Sequence, residues 1–260
     1  MDRLNGRAAW LEGIPMTDTA DTAPARAELQ ALADAPPVQQ AADLVRRNHP
    51  NFVALLGSDE AAKQFETAFM TEFRKSPELQ ECDPYSVVGG MRQAAQLGLS
   101  FGPQGYVYLI PRKLKGRWWA TFVLGYTGIL ELARQGGAQG LRATVIWSDE
   151  EWSGIRNVNG AFRYTHTPKF DHESDAERIG VLVEWTDGAK QALLVPPAEI
   201  DKALKASALT DTSRRNEDWY WKKTAVRRAR PWLPQSPKLA LADAMDEQDA
   251  EALDELPADE

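Results

Sequence analysis

Tyr106-Val107-Tyr108-Leu109-Ile110-Pro111-Arg112-Lys113-Leu114-Lys115-Gly116-Arg117-Trp118-Trp119-Ala120-Thr121-Phe122-Val123-Leu124 reads as a β-hairpin, and that reading sets the fold class. Both ends are rich in aromatic and β-branched residues, which suit a half-buried pleated surface. The middle, Pro111 to Arg117, combines a proline, a glycine and four bases, so the strands Tyr106 to Ile110 and Trp118 to Leu124 are predicted to meet at a basic tip. Working outward, further strands are predicted at Arg142 to Trp147, Phe162 to Thr165, Ile179 to Trp185 and Gln191 to Val195, with Asp187-Gly188 turning between the last two.

Helical patterns bracket these strands. Ala41 to Leu56 and Ser58 to Lys75 have helical periodicity, the second with Ser58 as cap and Phe65, Ala68, Phe69 and Phe73 on one face. Asp83-Pro84 opens another helix, an N-cap followed by proline at the first position. Its apolar face is Val87, Val88, Met91, Ala94 and Ala95; Arg92, Gln93 and Gln96 lie opposite and Gly98 ends it. Gly89-Gly90 inside it costs about 1 kcal/mol per glycine relative to alanine. Either a ligand or a neighbouring element approaches there. Shorter helices are predicted at Tyr126 to Arg134, closed by Gly136-Gly137, at Pro197 to Ala206 and at Glu217 to Arg230. Strands in hairpins between helices, without regular βαβ repeats, predict an α+β domain with a small antiparallel sheet.

Net charge is −8, with 43% hydrophobic residues, but the charge is uneven. Residues 1–40 carry three basic and six acidic groups, residues 239–260 none and nine, and residues 41–238 carry 27 and 23. The body is net positive between acidic ends. Residues 1–40, with the Pro36-Pro37 stop, read as a disordered segment; 41–238 reads as the folded domain, and 239–260 as an extended acidic tail. For that tail, docking on a partner protein, competition with an anion for the basic surface, and plain solubility all remain open. Pro84 to Ser148 contains Arg92, Arg112, Lys113, Lys115, Arg117, Arg134 and Arg142 against Glu131 alone, and local basicity is what an anionic ligand meets.

Trp219-Tyr220-Trp221-Lys222-Lys223-Thr224-Ala225-Val226-Arg227-Arg228-Ala229-Arg230-Pro231 mixes three aromatics with five bases, and Arg214 and Arg215 add charge upstream. On a wheel of about 100° per residue, Tyr220, Lys223, Arg227 and Arg230 fall on one side and Trp219, Ala225, Val226 and Ala229 on the other. Two readings compete: a polyanion-binding face, or bases complementing the helix dipole before the Pro231 stop, with Asn216 as N-cap. Each tryptophan likewise either stacks on a ligand or packs in the core.

No phosphate loop, nucleophile elbow or dinucleotide fingerprint occurs. His166 and His172, with Asp171 and Glu173, match no zinc or two-metal spacing and read better as solvated loop. The lone Cys82 excludes an intrachain disulfide and a cysteine metal cluster. No apolar run approaches a membrane span and no leader pattern opens the chain, so a soluble, unsecreted protein is expected. No cofactor, metal or enzymatic site is expected.

Four segments in order carry a family resemblance. They are Cys82 to Val88 with Ala94 to Leu99; Gly105-Tyr106 through Pro111; Leu124-Gly125-Tyr126-Thr127-Gly128-Ile129 with Glu131 to Arg134; and Trp221 to Arg228 followed by Leu233-Pro234. From about Cys82 to Pro234 the chain resembles the RecT family of phage-type single-strand annealing proteins. The resemblance implies an ATP-independent protein that acts as a homo-oligomer, a ring or helical filament. It would coat single-stranded DNA in a basic groove and pair it with a complementary strand into an annealed duplex intermediate. It also implies a cognate exonuclease and a host single-strand-binding protein as partners, no membrane, and a cytoplasmic location in a bacterial host. The residues expected to meet DNA are Lys222, Lys223, Arg227, Arg228, Arg230, Arg215, Tyr126, Tyr106, Trp219, Arg92, Gln93, Arg112, Lys113, Lys115 and Arg117. The competing enzyme class is a metal-dependent nuclease or other phosphodiester hydrolase, which would need convergent carboxylates near the basic segments.

Overall fold

The computed structural model describes residues 35–114, 116–206 and 217–254. Among them are eight α-helices and nine strands, the strands in one three-stranded and three two-stranded antiparallel sheets. The α+β architecture with small antiparallel sheets agrees with the sequence reading.

Helix α1 (Pro37–Leu56) starts at the proline read as a stop, because a proline at the first helical position gives up only an N–H that would be unpaired anyway. It is followed by α2 (Asp59–Phe73), capped by the Ser58 side chain accepting from Ala61 N, and by the short α3 (Pro77–Gln80). Phe52, Phe65 and Phe69 gather around Phe101, with ring centroids of Phe65 and Phe69 at 5.6 and 5.2 Å from it. These contacts join the helical platform to the loop after α4 (Pro84–Leu97).

Helix α4 is fixed to the hairpin through its first turn. The Asp83 carboxylate accepts from Tyr85 N and Ser86 N, Asp83 N donates to Trp118 O at 2.9 Å, and Ser86 Oγ accepts from Ala120 N at 2.9 Å. The hairpin itself is β1 (Val107–Leu114) and β2 (Arg117–Leu124), in register from Val107 opposite Leu124 to Leu114 opposite Arg117. The predicted seven-residue basic connection is therefore corrected to a two-residue turn. Gly116, at φ 76°, supplies the left-handed backbone such a turn needs, and Pro111 is tolerated because β1 has a neighbour on one side only. Gly90 on α4 faces Leu109, which explains one half of the glycine pair by packing; a Cβ on Gly89 would meet open space.

Helix α5 (Tyr126–Gln135) leaves the hairpin at Gly125. It leads to β3 (Gln139–Trp147), which pairs with β8 (Arg178–Thr186), and β8 pairs with β9 (Lys190–Val195). Central β8 alternates. Val181, Val183 and Trp185 enter the main core, whereas Leu182 joins Ile146 and Ala192 in a second small core. That small core is covered by Trp152, Ile155, Phe162 and Tyr164 from an insert built of β4 (Glu151–Trp152), β5 (Arg156–Val158), β6 (Ala161–Arg163) and β7 (His166–Thr167). The strand expected over Phe162 to Thr165 is corrected: only Phe162 and Arg163 lie in a strand, β6, and Tyr164 and Thr165 link it to β7.

After α6 (Pro197–Ala206), α7 (Asp218–Ala229) packs against β3, β8 and β9 on the main-core side and against α5. A 3₁₀ turn (Arg230–Trp232) then leads to α8 (Pro237–Asp254). The extended acidic tail is corrected up to Asp254. Leu239, Ala242 and Met245 recur at helical spacing and are buried, and α8 rests on α4 and α5. The disordered reading of 1–40 falls outside the described residues except at its helical end.

The insert is pinned at its root by two acids. Glu150, only 3% exposed, receives His166 Nε2 at 2.8 Å, Trp147 N at 2.9 Å and Lys169 N at 3.1 Å; Asp149 receives His172 Nδ1 at 3.0 Å and Glu173 N at 3.2 Å. Burial pushes the Glu150 carboxyl up, but these hydrogen bonds outweigh it and hold the group below its usual range.

Two outcomes follow from this packing. A Cβ on Gly125 would collide with Gly105 O, and one on Gly128 with Tyr106 O. Each glycine-to-alanine change should cost about 1–3 kcal/mol in denaturant unfolding, whereas Gly89→Ala should be neutral or stabilising by up to about 1 kcal/mol. Because the folded-state value of Glu150 is depressed, its contribution is full above the ordinary carboxylate range and lost as pH falls through that lowered value. Glu150→Gln should lower the melting temperature at neutral pH and flatten its decline in acid, which a melting series from pH 7 to pH 3 would read.

Candidate nucleic-acid interface

Three of the motif segments converge at the root of the hairpin. Gly125 N donates to Tyr106 O at 2.8 Å, Thr127 Oγ1 donates to Gly105 O at 2.6 Å, and Arg227 Nη2 on α7 donates to Leu124 O at 2.9 Å. A guanidinium 103 positions along the chain thus closes the end of β2. Tyr106 and Tyr126 flank this node and are half-buried, packed against the main core.

Helix α7 presents its residues differently from the wheel. Tyr220 (4% exposed) and Trp221 (7%) are buried with Thr224, Ala225, Val226 and Ala229, whereas Trp219 is 39% exposed. The assignment of Tyr220 to the outer face and Trp219 to the inner one is corrected. The sheet below the helix decides it, since Trp221 reaches Arg178 of β8, which is itself ion-paired to Asp218 at 2.9 Å. The Lys223 ammonium lies 5.8 Å from the Trp219 ring centroid, a cation–π placement.

The remaining bases of this segment divide. Arg227 and Arg228 are exposed and Lys222 is half-buried. Arg228 Nε lies 3.7 Å from Glu199, both side chains over 40% exposed, so solvent screens the pair. Arg230 is 12% exposed and ion-paired with Asp243 of α8. Its expected place on the outer face is corrected: α8 covers it. Arg215 and Asn216 lie outside the described residues.

The hairpin bases form a separate cluster. Arg112 and Lys113 are exposed in β1 and Arg117 in β2, near the turn, while Lys115 lies outside the described residues. Leu124 is seven residues along β2 from Arg117, on the order of 24 Å of extended strand. The hairpin end and the α7 bases are therefore two surfaces. On α4, Arg92 is exposed and Gln93 half-buried.

Sequence reasoning missed two partners here, Leu124 O for Arg227 and Asp243 for Arg230. Neither contact has a local signal. Among the described residues no group of three or more His, Cys, Asp or Glu side chains is placed to hold a metal ion. His166 and His172 bond instead to Glu150 and Asp149, and burial pushes the Cys82 thiol up to about 11, leaving it protonated. No helix among the described residues is long and apolar enough to cross a membrane.

The sequence model of the RecT family matches residues 63–257, which include all four motif segments. Over 201 residues the chain is 30% identical to Protein RecT of Escherichia coli (strain K12), spanning 73% of this chain and 72% of that relative.

The geometry of Arg230 separates stability from binding. Arg230→Ala leaves Asp243 without its partner and opens space under α8, so the melting temperature should fall by several degrees. The salt slope of binding to a polyanion should stay within about half a unit of the parent's, because a paired and covered base releases few counterions.

Proposed function

The chain belongs to the RecT family, and on that premise we propose that it binds single-stranded DNA and anneals complementary strands in phage-type homologous recombination. It does so as a homo-oligomer, ring or filament, without ATP. It works in the bacterial cytoplasm, beside a cognate exonuclease and the host single-strand-binding protein. The region 41–238 carries the annealing activity.

The observation that supports this best is the outer face of α7. Exposed Arg227 and Arg228, with Lys222 and Lys223, stand beside the one exposed aromatic of the helix, Trp219. Bases of this kind neutralise phosphates, which supplies sequence-independent affinity, while an exposed indole offers a stacking surface that accepts any base. Annealing requires base edges left free to test a partner strand, and phosphate clamping leaves them so. Tyr126 and Tyr106 line the adjoining node, and we assign Arg92 and Gln93 of α4 and Arg112, Lys113, Lys115 and Arg117 of the hairpin segment to further DNA contacts apart from α7.

Fluorescence anisotropy of a labelled single strand across a salt series tests this. Lys223→Ala with Arg227→Ala should weaken binding to all sequences alike and reduce the log–log salt slope by about 0.7 for each lost phosphate contact. Arg112→Glu with Lys113→Glu should weaken binding further while leaving the melting temperature within a few degrees. An unchanged slope in a folded Lys223/Arg227 variant would remove α7 from the interface.

A further inference from the structure

The β5–β6 hairpin carries an arrangement that its own stability does not explain. Arg156 and Arg163 are direct cross-strand partners, and both are exposed. Like charges at directly opposed positions are unfavourable in an antiparallel pair. Neither guanidinium has an ion pair among the described residues to offset that cost.

The hairpin is nevertheless firmly built. Asn159 and Gly160 both take left-handed backbone, at φ 54° and 80°, as a two-residue hairpin turn requires, and Asn157 Oδ1 accepts from Gly160 N at 3.1 Å. On one side Phe162 packs into the small core with Tyr164, and the Lys190 ammonium lies 4.0 Å from the Tyr164 ring centroid. Strand alternation therefore turns Arg156 and Arg163 to the opposite side, next to Val158, which is 46% exposed. The two arginines are therefore cross-strand neighbours on one exposed face, on the order of 5 Å apart at their Cα atoms. Paired forks of this kind suit an anionic oxygen array, each donating two parallel N–H groups.

Position adds the second half of the argument. The small core lies on the face of the β3–β8–β9 sheet opposite the one on which α7 packs. The arginine pair thus belongs to the layer on the far side of the sheet from Lys223 and Arg227.

We propose that Arg156 and Arg163 form a second phosphodiester-binding site, which holds a nucleic-acid segment other than the one on α7. This rests on the DNA-binding reading above and adds to it. A segment held there lies outside the groove in which pairing takes place, and the clamp keeps it attached to the protein.

The test uses the full chain and two labels. Anisotropy of a labelled single strand across a salt series is measured for the parent, for Arg156→Gln/Arg163→Gln, for Lys223→Ala/Arg227→Ala, and for all four changes together. Energy transfer between two differently labelled, non-complementary strands, across the same salt series, reports capture of a second strand. The arginine variant should keep its melting temperature, bind the first strand with the parent's affinity and salt slope, and lose several-fold in second-strand capture, whose own salt slope should fall by about 1.4. First-strand slope should fall in Lys223→Ala/Arg227→Ala and in the fourfold variant by the same amount. Arg156→Lys/Arg163→Lys should recover most of the capture slope. Parental capture and capture slope in a folded arginine variant overturn the proposal. If instead the Lys223/Arg227 variant alone is silent, the α7 reading fails while the arginine pair stands; if the parent binds no strand, both fall.

Discussion

The close approach of two backbones at the hairpin root governs the rest of this structure. Gly125 and Gly128 let the start of α5 lie directly on the Gly105 and Tyr106 carbonyls, where no side chain fits. Gly125 N satisfies Tyr106 O, Thr127 Oγ1 satisfies Gly105 O, and Arg227 satisfies Leu124 O, so the carbonyls exposed by the chain reversal are paired. With that node fixed, the hairpin projects in one direction and α5 departs in another toward the three-stranded sheet. Arg227 then ties α7 to the same point. The hydrogen bond to an ionised donor is worth about 1.5–3 kcal/mol net, more than a neutral pair of the same geometry.

That arrangement sorts the bases into structural and available ones. Arg178 spends its charge between Trp147, 4.3 Å from the ring centroid, and Asp218, and so welds the sheet to the start of α7. Arg142 is paired with buried Glu184 at 3.0 Å, and the shift of its guanidinium to higher pKa follows first from that hydrogen bond. Arg230 is used to seat α8. Charge counts along the chain cannot make this division, because each of these arginines meets its carboxylate through tertiary contact. Among the described residues the bases left at the surface in the motif segments are fewer than the sequence suggests; with those of the insert, they lie at the α7 face, the hairpin end and Arg92 of α4.

Much of the architecture was legible because local chemistry and tertiary packing agree. Asp83-Pro84, Ser58, Gly98 and the Asp187-Gly188 turn each act where the residues place them. The misses have separate physical causes. The α7 wheel placed Tyr220 and Trp219 on the wrong sides because two aromatics adjacent in sequence are separated by only about 100°, and the sheet beneath decides which one is covered. The acidic composition of α8 hid its apolar positions Leu239, Ala242 and Met245. Strands β4 and β5 are two and three residues long and mostly exposed, too short for period to register, although Asn159-Gly160 is a strong turn signal in its own right.

The three aromatics of α7 show how one helix reconciles stability with an exposed binding face. Burying Tyr220 and Trp221 removes large apolar surfaces from water, at about 25 cal/mol per Å², and this anchors the helix on the sheet. Trp219 stays outside, yet it is not idle surface: Lys223 lies above its ring, one turn further along. A cation over an indole keeps the ring oriented, and it places a positive charge beside a stacking plane without any base-specific donor. A strand lying along such a helix gains phosphate neutralisation and stacking together, with its hydrogen-bonding edges unspent. Edges held by the protein would have to be released before a complementary strand could pair, and each released bond would slow the search. A surface that grips only phosphate and ring face leaves the test of complementarity to the bases themselves.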